Sequence, residues 1–304
     1  MITTLTVCLL LAIYLMPSNN NINNNKLQVQ YSDNIEKVNI FLLNNDDLLV
    51  RATTVVDKDV ELVEKVRSIL TSLFDSSNSL LPNGLNGIIP KKVKILDVTF
   101  IDGIITINLS SDIKSMEEKR LEKMLEAITF SIIELEDVSG VMFAVDGENI
   151  NKIYSDLPLV FNKDYGINKK YHINNTKNIK KVVIYYIDEI NDEKYYVPIT
   201  KYVDDVREKI SIIIDDLSSN YIYEPNLVSY LNQNTELINF ELDQDIMILN
   251  FNTSIFMNDG EILEEVVYSI GYSVFDSYGV DEVVFEVNNE EILKKTLKDI
   301  EFVK

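Results

Sequence analysis

Three pairs of adjacent aspartates are the first candidates for chemistry: Asp46/Asp47, Asp204/Asp205 and Asp215/Asp216. Two carboxylates facing each other across a cleft can hydrolyse a glycosidic bond, one as acid and the other as base or nucleophile. In a chain with 49 acidic residues among 304, adjacent aspartates arise easily, and these pairs fall in turns or on helix surfaces. They read as solvated surface. The stretch DEINDEK (188–194) has the acidic content of a calcium loop but lacks its alternating ligand spacing, central glycine and distal glutamate. It reads as a hairpin turn. His172 is the only histidine, so any Ser-His-Asp or Cys-His machinery would depend on it. It lies in the polar run NKKYHINNTKN, without a rigid scaffold, and reads as an exposed linker residue. Cys8 is alone, which excludes an intramolecular disulfide and a thiolate metal cluster. No catalytic, metal-binding or cofactor-binding set emerges.

Composition narrows the function further. With 28 basic residues against 49 acidic, the net charge is −21. So acidic a surface repels phosphate backbones, which argues against nucleic acid as a partner. The charge serves solubility in the simplest reading, and a basic partner in the other. Apolar residues make up 46% of the chain, enough for real hydrophobic cores, and the length suits two domains.

The elements that would position any site occur twice. ITINLSSDI (105–113) returns as MILNFNTSI (247–255), a spacing of 142 residues. At the same spacing VKILDVTF (93–100) matches TELINFEL (235–242), and VSGVMFAVDGENI (138–150) matches VDEVVFEVNNEEI (280–292). The chain is a tandem duplication. Asn108 and Asn250, which end the repeated strand, are candidate binding residues because they recur. The simpler account is structural: an Asx side chain closing a strand bonds local backbone amides and starts the next loop.

Each copy reads strand, hairpin, helix, strand, tight turn, strand, helix, strand. In copy one, 37–43 and 48–56 flank the turn residues NNDD. Asp57 or Asp59 is placed to cap a helix whose apolar face is Val60, Val63, Val66, Ile69, Leu70 and Leu73. A Gly/Pro-rich loop follows, then a hairpin about Asp102-Gly103 and a helix over about 116–136 that buries Leu121, Met124, Leu125, Ile128 and Ile132. In copy two, Val203, Val206, Ile210, Ile213 and Leu217 line the first helix, and Ile262, Leu263, Val266, Val267, Ile270 and Val274 the second. Tyr185, Tyr186, Tyr195, Tyr196, Tyr202, Tyr221 and Tyr223 suggest a contact face for protein or carbohydrate, about half of them pointing inward by strand alternation. The fold class is α+β: two tandem copies of a small sheet-plus-two-helices sandwich.

The chain divides into a hydrophobic segment (1–17), an Asn-rich spacer (18–36), domain 1 (37–150), a linker (151–180), domain 2 (181–292) and a tail (293–304). Residues 2–16 fall short of a ~30 Å hydrocarbon core as a helix but match a signal-peptide core in length, without the basic flank. A lipobox reading with Cys8 as the acylated residue places bulky Val7 where a small residue is wanted. An uncleaved anchor, or a mis-assigned start codon, fits better, and export or membrane attachment through this segment is expected. The linker is Asn- and Lys-rich, with DLPLVF suggesting that part of it packs back on a domain.

The stretch NGLNGIIPKKVKILDVTFIDGIITINLSSDI (83–113), with the helix and VSGVMFAVDGENI after it, resembles the GerMN domain of bacterial sporulation and germination proteins. The likeness covers most of 38–150 and, more weakly, 182–292. Copy two lacks the Gly-Leu...Pro loop, has Asp245 in the place of Gly103, and both copies carry Asn where the family usually has Asp. The resemblance implies a non-enzymatic extracytoplasmic protein, similar to ring-building modules, in the complex joining mother cell and forespore membranes. It would be needed for spore development and germination competence. Its partners would be other proteins of that complex and further copies of itself. The alternative is an exported lipoprotein that binds cell-wall glycan or a peptide.

Overall fold

A computed structural model describes residues 34–75, 81–173, 175, 177–219, 222, 226–257 and 260–300. The readings placed on residues 1–33, Cys8 included, lie outside these, as do Tyr221 and Tyr223. Copy one opens with a hairpin of β1 (Ile35–Leu43) and β2 (Leu49–Asp57). Helix α1 (Leu62–Ser72) follows, then a second hairpin of β3 (Ile95–Ile101) and β4 (Ile104–Leu109). Asp102 and Gly103, at φ +49° and +81°, supply the two left-handed positions that a two-residue hairpin turn requires. Helix α2 (Glu118–Ile132) then crosses over to β5 (Gly140–Val145), which pairs parallel with β4 because only such a crossover reverses the chain far enough. A two-residue strand, β6 (Glu148–Asn149), ends the sheet in the order β3-β4-β5-β6.

Copy two repeats this plan after β7 (Lys170–His172). Its elements are β8 (Lys180–Ile190), β9 (Glu193–Val203), α3 (Lys209–Ser218) and β10 (Leu227–Val228). Then come β11 (Leu237–Asp243), β12 (Ile246–Phe251), α4 (Glu264–Tyr278), β13 (Glu282–Val287) and β14 (Glu290–Thr296). The sheet order β11-β12-β13-β14 mirrors that of copy one, and even the bulge after the first residue of β3 recurs in β11. The exception is the last strand, which is seven residues long here instead of two. The described residues form a single compact unit.

Several local expectations need correction. Neither Asp57 nor Asp59 caps α1: Asp57 accepts from Asn34 and from the Asp59 amide, and the cap position is Glu61. Val60 therefore precedes the helix. Val203 belongs to β9, and Val206 sits before α3 and is 80% exposed. The second helix of copy one is shorter than its periodicity suggests, and Ile262 and Leu263 precede α4. The segment read as a linker is largely built in. Phe161 is fully buried, bridges to Val141 and packs edge-on against Phe143 at 4.9 Å. Residues 170–172 add β7 to the edge of β9. Much of the tail is likewise structured, as the end of β14 and a helical turn at Leu297–Ile300.

The two first hairpins are buried on both faces in their centres, which is why Tyr185 and Tyr186, adjacent and pointing opposite ways, are both inaccessible. The free edge of β1 is closed by α2 through a serine: the Phe41 amide donates to Ser131 Oγ, which donates in turn to the Ala127 carbonyl. Copy two repeats the device with Tyr185, Ser273 and Ser269. A helix thus covers an edge that would otherwise offer unpaired amides to another strand.

Candidate functional site

The richest concentration of buried polar groups lies where the copies meet. There β2 runs beside β9, and Pro198 of β9 has no N–H to offer a neighbour. Asn168, just ahead of β7, fills the gap with its side chain. Its Nδ2 donates to the Leu49 and Pro198 carbonyls, both at 2.8 Å, and its Oδ1 accepts from the Leu49 amide at 2.9 Å. Asn168 is 1% exposed and sits at φ +49°, a conformation that asparagine tolerates better than most residues. Its own amide donates to Glu126 Oε2, and Lys123 Nζ donates to its Oδ1. Burial pushes the Glu126 carboxyl above its usual range, against the pull of Lys123 and Lys169.

Asn44 makes a second stitch. Its Oδ1 accepts from the Asp46 and Leu48 amides, shaping the first hairpin turn. Its Nδ2 reaches the Asp188 carboxylate of copy two at 2.7 Å. Gly84, of the Gly-Leu loop, completes the contact: at φ +90°, a Cβ there would stand 2.4 Å from Ile190 Cγ2.

A third cluster surrounds Arg51 of β2. Its guanidinium holds Glu134 with two bonds, at 2.7 and 3.0 Å, and lies 4.7 Å from the ring centre of Tyr272 in copy two. Such a fork fixes both partners in orientation. Beyond the ring, Asp276 accepts from Tyr185 Oη at 2.6 Å and from Lys163 at 2.9 Å. Burial alone would lower the Arg51 pKa, but Glu134, the two tyrosines and Asp276 raise it above its ordinary value. Burial works against an ionised Asp276 too, yet Lys163, the Tyr185 hydroxyl and Arg51 hold its carboxyl below the usual carboxylate range. These ions stabilise one another. The arrangement joins two copies through a network of paired charges, in which Arg51 Nε alone of the guanidinium nitrogens lacks a hydrogen-bond partner among the described residues.

The residues singled out by type lie apart from this seam or serve it structurally. Asp47 stands near Lys119 and Arg120, and Asp46 accepts from Asn226. Asp205 is held by Arg207, which brings its carboxyl down to about 2, while Asp204 accepts from the Asn175 amide. Asp215 pairs with Arg207 and Asp216 with Lys201. The members of each pair turn to different partners. DEINDEK forms the tight β8–β9 turn with Asn191 and Asp192 at positive φ. His172 is exposed on β7 opposite Val203. Of the tyrosines, Tyr185, Tyr186 and Tyr196 are core, and Tyr195 and Tyr202 half-buried.

Asn108 and Asn250 do the same job in both copies. Asn108 Oδ1 accepts from the Gly147 amide at 2.9 Å, and Asn250 Oδ1 from the Asn289 amide at 3.1 Å. Each pins the turn after the neighbouring parallel strand, so the role is structural but the partner lies 39 residues on. The local bond expected from an Asx motif is not the one made.

A family model described as Germane, sporulation and spore germination, matches residues 39–151 and 183–293. The chain belongs to the Germane family. Both copies carry the domain, and the fold agrees. The tandem GerMN domains of the sporulation protein GerM from Bacillus subtilis superpose with a TM-score of 0.75 at 20% identity, covering 84% of this chain and 92% of that one. Among curated proteins, the spore germination protein GerM of Bacillus subtilis (strain 168) is 23% identical over 265 residues, 84% of this chain and 72% of the relative. The chain is thus a GerM-like sporulation and germination protein with tandem Germane domains.

Sequence reasoning missed Asn168, Asn44 and Arg51. Arg51 carried a signal, as the one charge inside the apolar strand LLVRATTVV. Asn168 carried none, being one asparagine in an Asn-rich run. The Germane unit also has a cleft of about 870 Å³ between α2 and the connecting segment, lined by Glu118, Glu122, Tyr154, Tyr165, Lys169 and Tyr171. Among the described residues no cluster of His, Cys, Asp and Glu is placed to hold a metal ion, and no helix is long and apolar enough to cross a membrane.

Proposed function

We propose that this chain is a non-enzymatic assembly component of the complex that spans the mother cell and forespore membranes. It works outside the cytoplasm, held to the membrane through residues 2–16, and it meets other proteins of that complex and copies of itself. The observation that carries the reading is the Germane match in both copies, together with the seam that makes them one unit. Two domains stitched by buried bonds present their outer surfaces in a constant relation, as a scaffold component must. Support for a non-enzymatic role comes from the aspartate pairs, whose carboxylates are engaged by lysine, arginine, asparagine and backbone amides. The test is a deletion strain scored for heat-resistant, germinating spores, with a tagged copy imaged during engulfment. Loss of such spores and a signal at the engulfing membranes are expected. Normal spores with an unlocalised signal would overturn the proposal.

The cleft beside α2 favours a second reading, a binder of cell-wall glycan or peptide. Three tyrosines and two glutamates there offer the stacking surfaces and acceptors that sugars use. Titration of the purified chain with muropeptides, comparing wild type with Tyr171→Ala, decides between them. Saturable binding lost in the variant supports this reading, and a flat titration removes it.

A further inference from the structure

The duplication supplies an internal comparison for one exposed face. Strands β3 and β11 occupy the same edge of their sheets, and directly paired residues share a face of a sheet. In copy one Val98 pairs with Ile107 and Phe100 with Ile105; in copy two Phe240 pairs with Leu249 and Leu242 with Met247. Ile105, Ile107, Met247 and Leu249 are all fully buried, so Val98, Phe100, Phe240 and Leu242 continue the core face of their sheets. Only copy one covers that continuation. Val98 is 3% exposed and Phe100 half-buried, whereas Phe240 is 37% and Leu242 50% exposed.

The difference lies in the first helix. Helix α1 packs on both β2 and β3, and its Arg67 reaches across to Asp97 of β3 at 3.5 Å. Helix α3 packs instead on β8 and α4, with no comparable packing on β11. Charge has shifted with it. Between Ile210 and Leu293 the sequence has seventeen acidic residues and no lysine or arginine. Glu236, just before β11, and Glu241 and Asp243, within it on the face opposite Phe240 and Leu242, are all exposed and lack the counterpart that Arg67 provides in copy one.

We propose that the open face of β11 is the docking site for a cationic amphipathic helix of a partner protein. The helix lies across Phe240 and Leu242 as α1 lies across Val98, and its lysines or arginines reach round the free edge of β11 to Glu236, and to Glu241 and Asp243 on the other face, as Arg67 reaches Asp97 beside Val98. Copy one shows what fills this position, an amphipathic helix with a basic flank, and the acidity of copy two demands more cations than α1 carries. The chain's own apolar segment, 2–16, has no basic residue, and a second copy brings the same acidic surface. The inference stands apart from the sporulation role: a chain that binds the helix yet is dispensable for sporulation would sink only the latter.

The test uses the full chain and a fluorescently labelled 14-residue leucine/lysine amphipathic helix, with a scrambled peptide of the same composition, read by anisotropy. The amphipathic peptide should bind and the scramble bind at least about tenfold more weakly. Phe240→Thr/Leu242→Thr should lose about tenfold in affinity, and Glu241→Gln/Asp243→Asn several-fold with a shallower salt dependence. Leu96→Thr/Ile101→Thr, which removes exposed apolar side chains from copy one, should bind as wild type. Because all these positions are exposed, the variants should melt with the wild type by circular dichroism. Equal binding by Phe240→Thr/Leu242→Thr, or by the scramble, overturns the proposal. So does a wild-type dimer in sedimentation that this variant abolishes, which would make a second copy the occupant. Preferential binding of a peptide of residues 2–16 overturns it in favour of the chain's own segment.

Discussion

Asn168 concentrates at one residue what the seam requires: two donors and an acceptor aimed at main-chain groups of both copies, from a left-handed backbone. Asn168→Ala leaves the Leu49 amide and two carbonyls without partners in a dry place, and each such group costs about 1–3 kcal/mol. The alanine also meets the left-handed backbone, at roughly 1 kcal/mol more. Asn168→Gly removes the bonds without that strain. In urea unfolding followed by circular dichroism, Asn168→Ala should lose at least about 4 kcal/mol and Asn168→Gly about 1 kcal/mol less. Equal losses would show that the backbone conformation is not strained. The sequence concealed this residue for a physical reason: a buried asparagine and a solvated one have the same side chain, and only the strand beside it distinguishes them. Asn108 and Asn250 were visible because duplication wrote them twice. Their partners, 39 residues away across a parallel strand, were not.

At the scale of elements, most of the architecture was legible. The two hairpins, both long helices and the closing strand of each copy follow from apolar periodicity and from turn residues such as Asp102-Gly103. What escaped was long-range. Helix starts shifted where Asp57 was engaged locally, and the polar connecting segment hid a buried Phe161 and a strand, β7, that pairs with β9. Copy one's Gly-Leu loop gained its meaning only from the Ile190 methyl packed over Gly84. Gly84→Ala should therefore cost more than Gly147→Ala. Both glycines have φ near +90°, but a Cβ at Gly147 meets nothing within 4 Å. The open site should lose about 1 kcal/mol and the seam site roughly 1–3 kcal/mol beyond it, read as the difference in unfolding free energy. A difference near zero would mean that the loop yields and the seam does not depend on it.

For the whole molecule, the charges at the seam set how stability follows pH. Asp276 titrates below its ordinary 3.8 in the folded chain, so the unfolded chain binds more protons through the window beneath about pH 4. Its contribution is complete above that value and is lost as pH falls through the folded pKa. Asp276→Asn should therefore be less stable than wild type at pH 7, by about 1.5–3 kcal/mol for the charged hydrogen bonds removed. The gap should narrow towards pH 3. Thermal melts at pH 7, 5, 4 and 3 measure it, and a gap independent of pH would refute the assignment. The same seam bears on how such a chain could break. Because Asn44 meets Asp188 directly, and Asn168, on the N-terminal side of residue 175, reaches Pro198 beyond it, cleavage near residue 175 would leave a nicked molecule, two fragments still clasped as one.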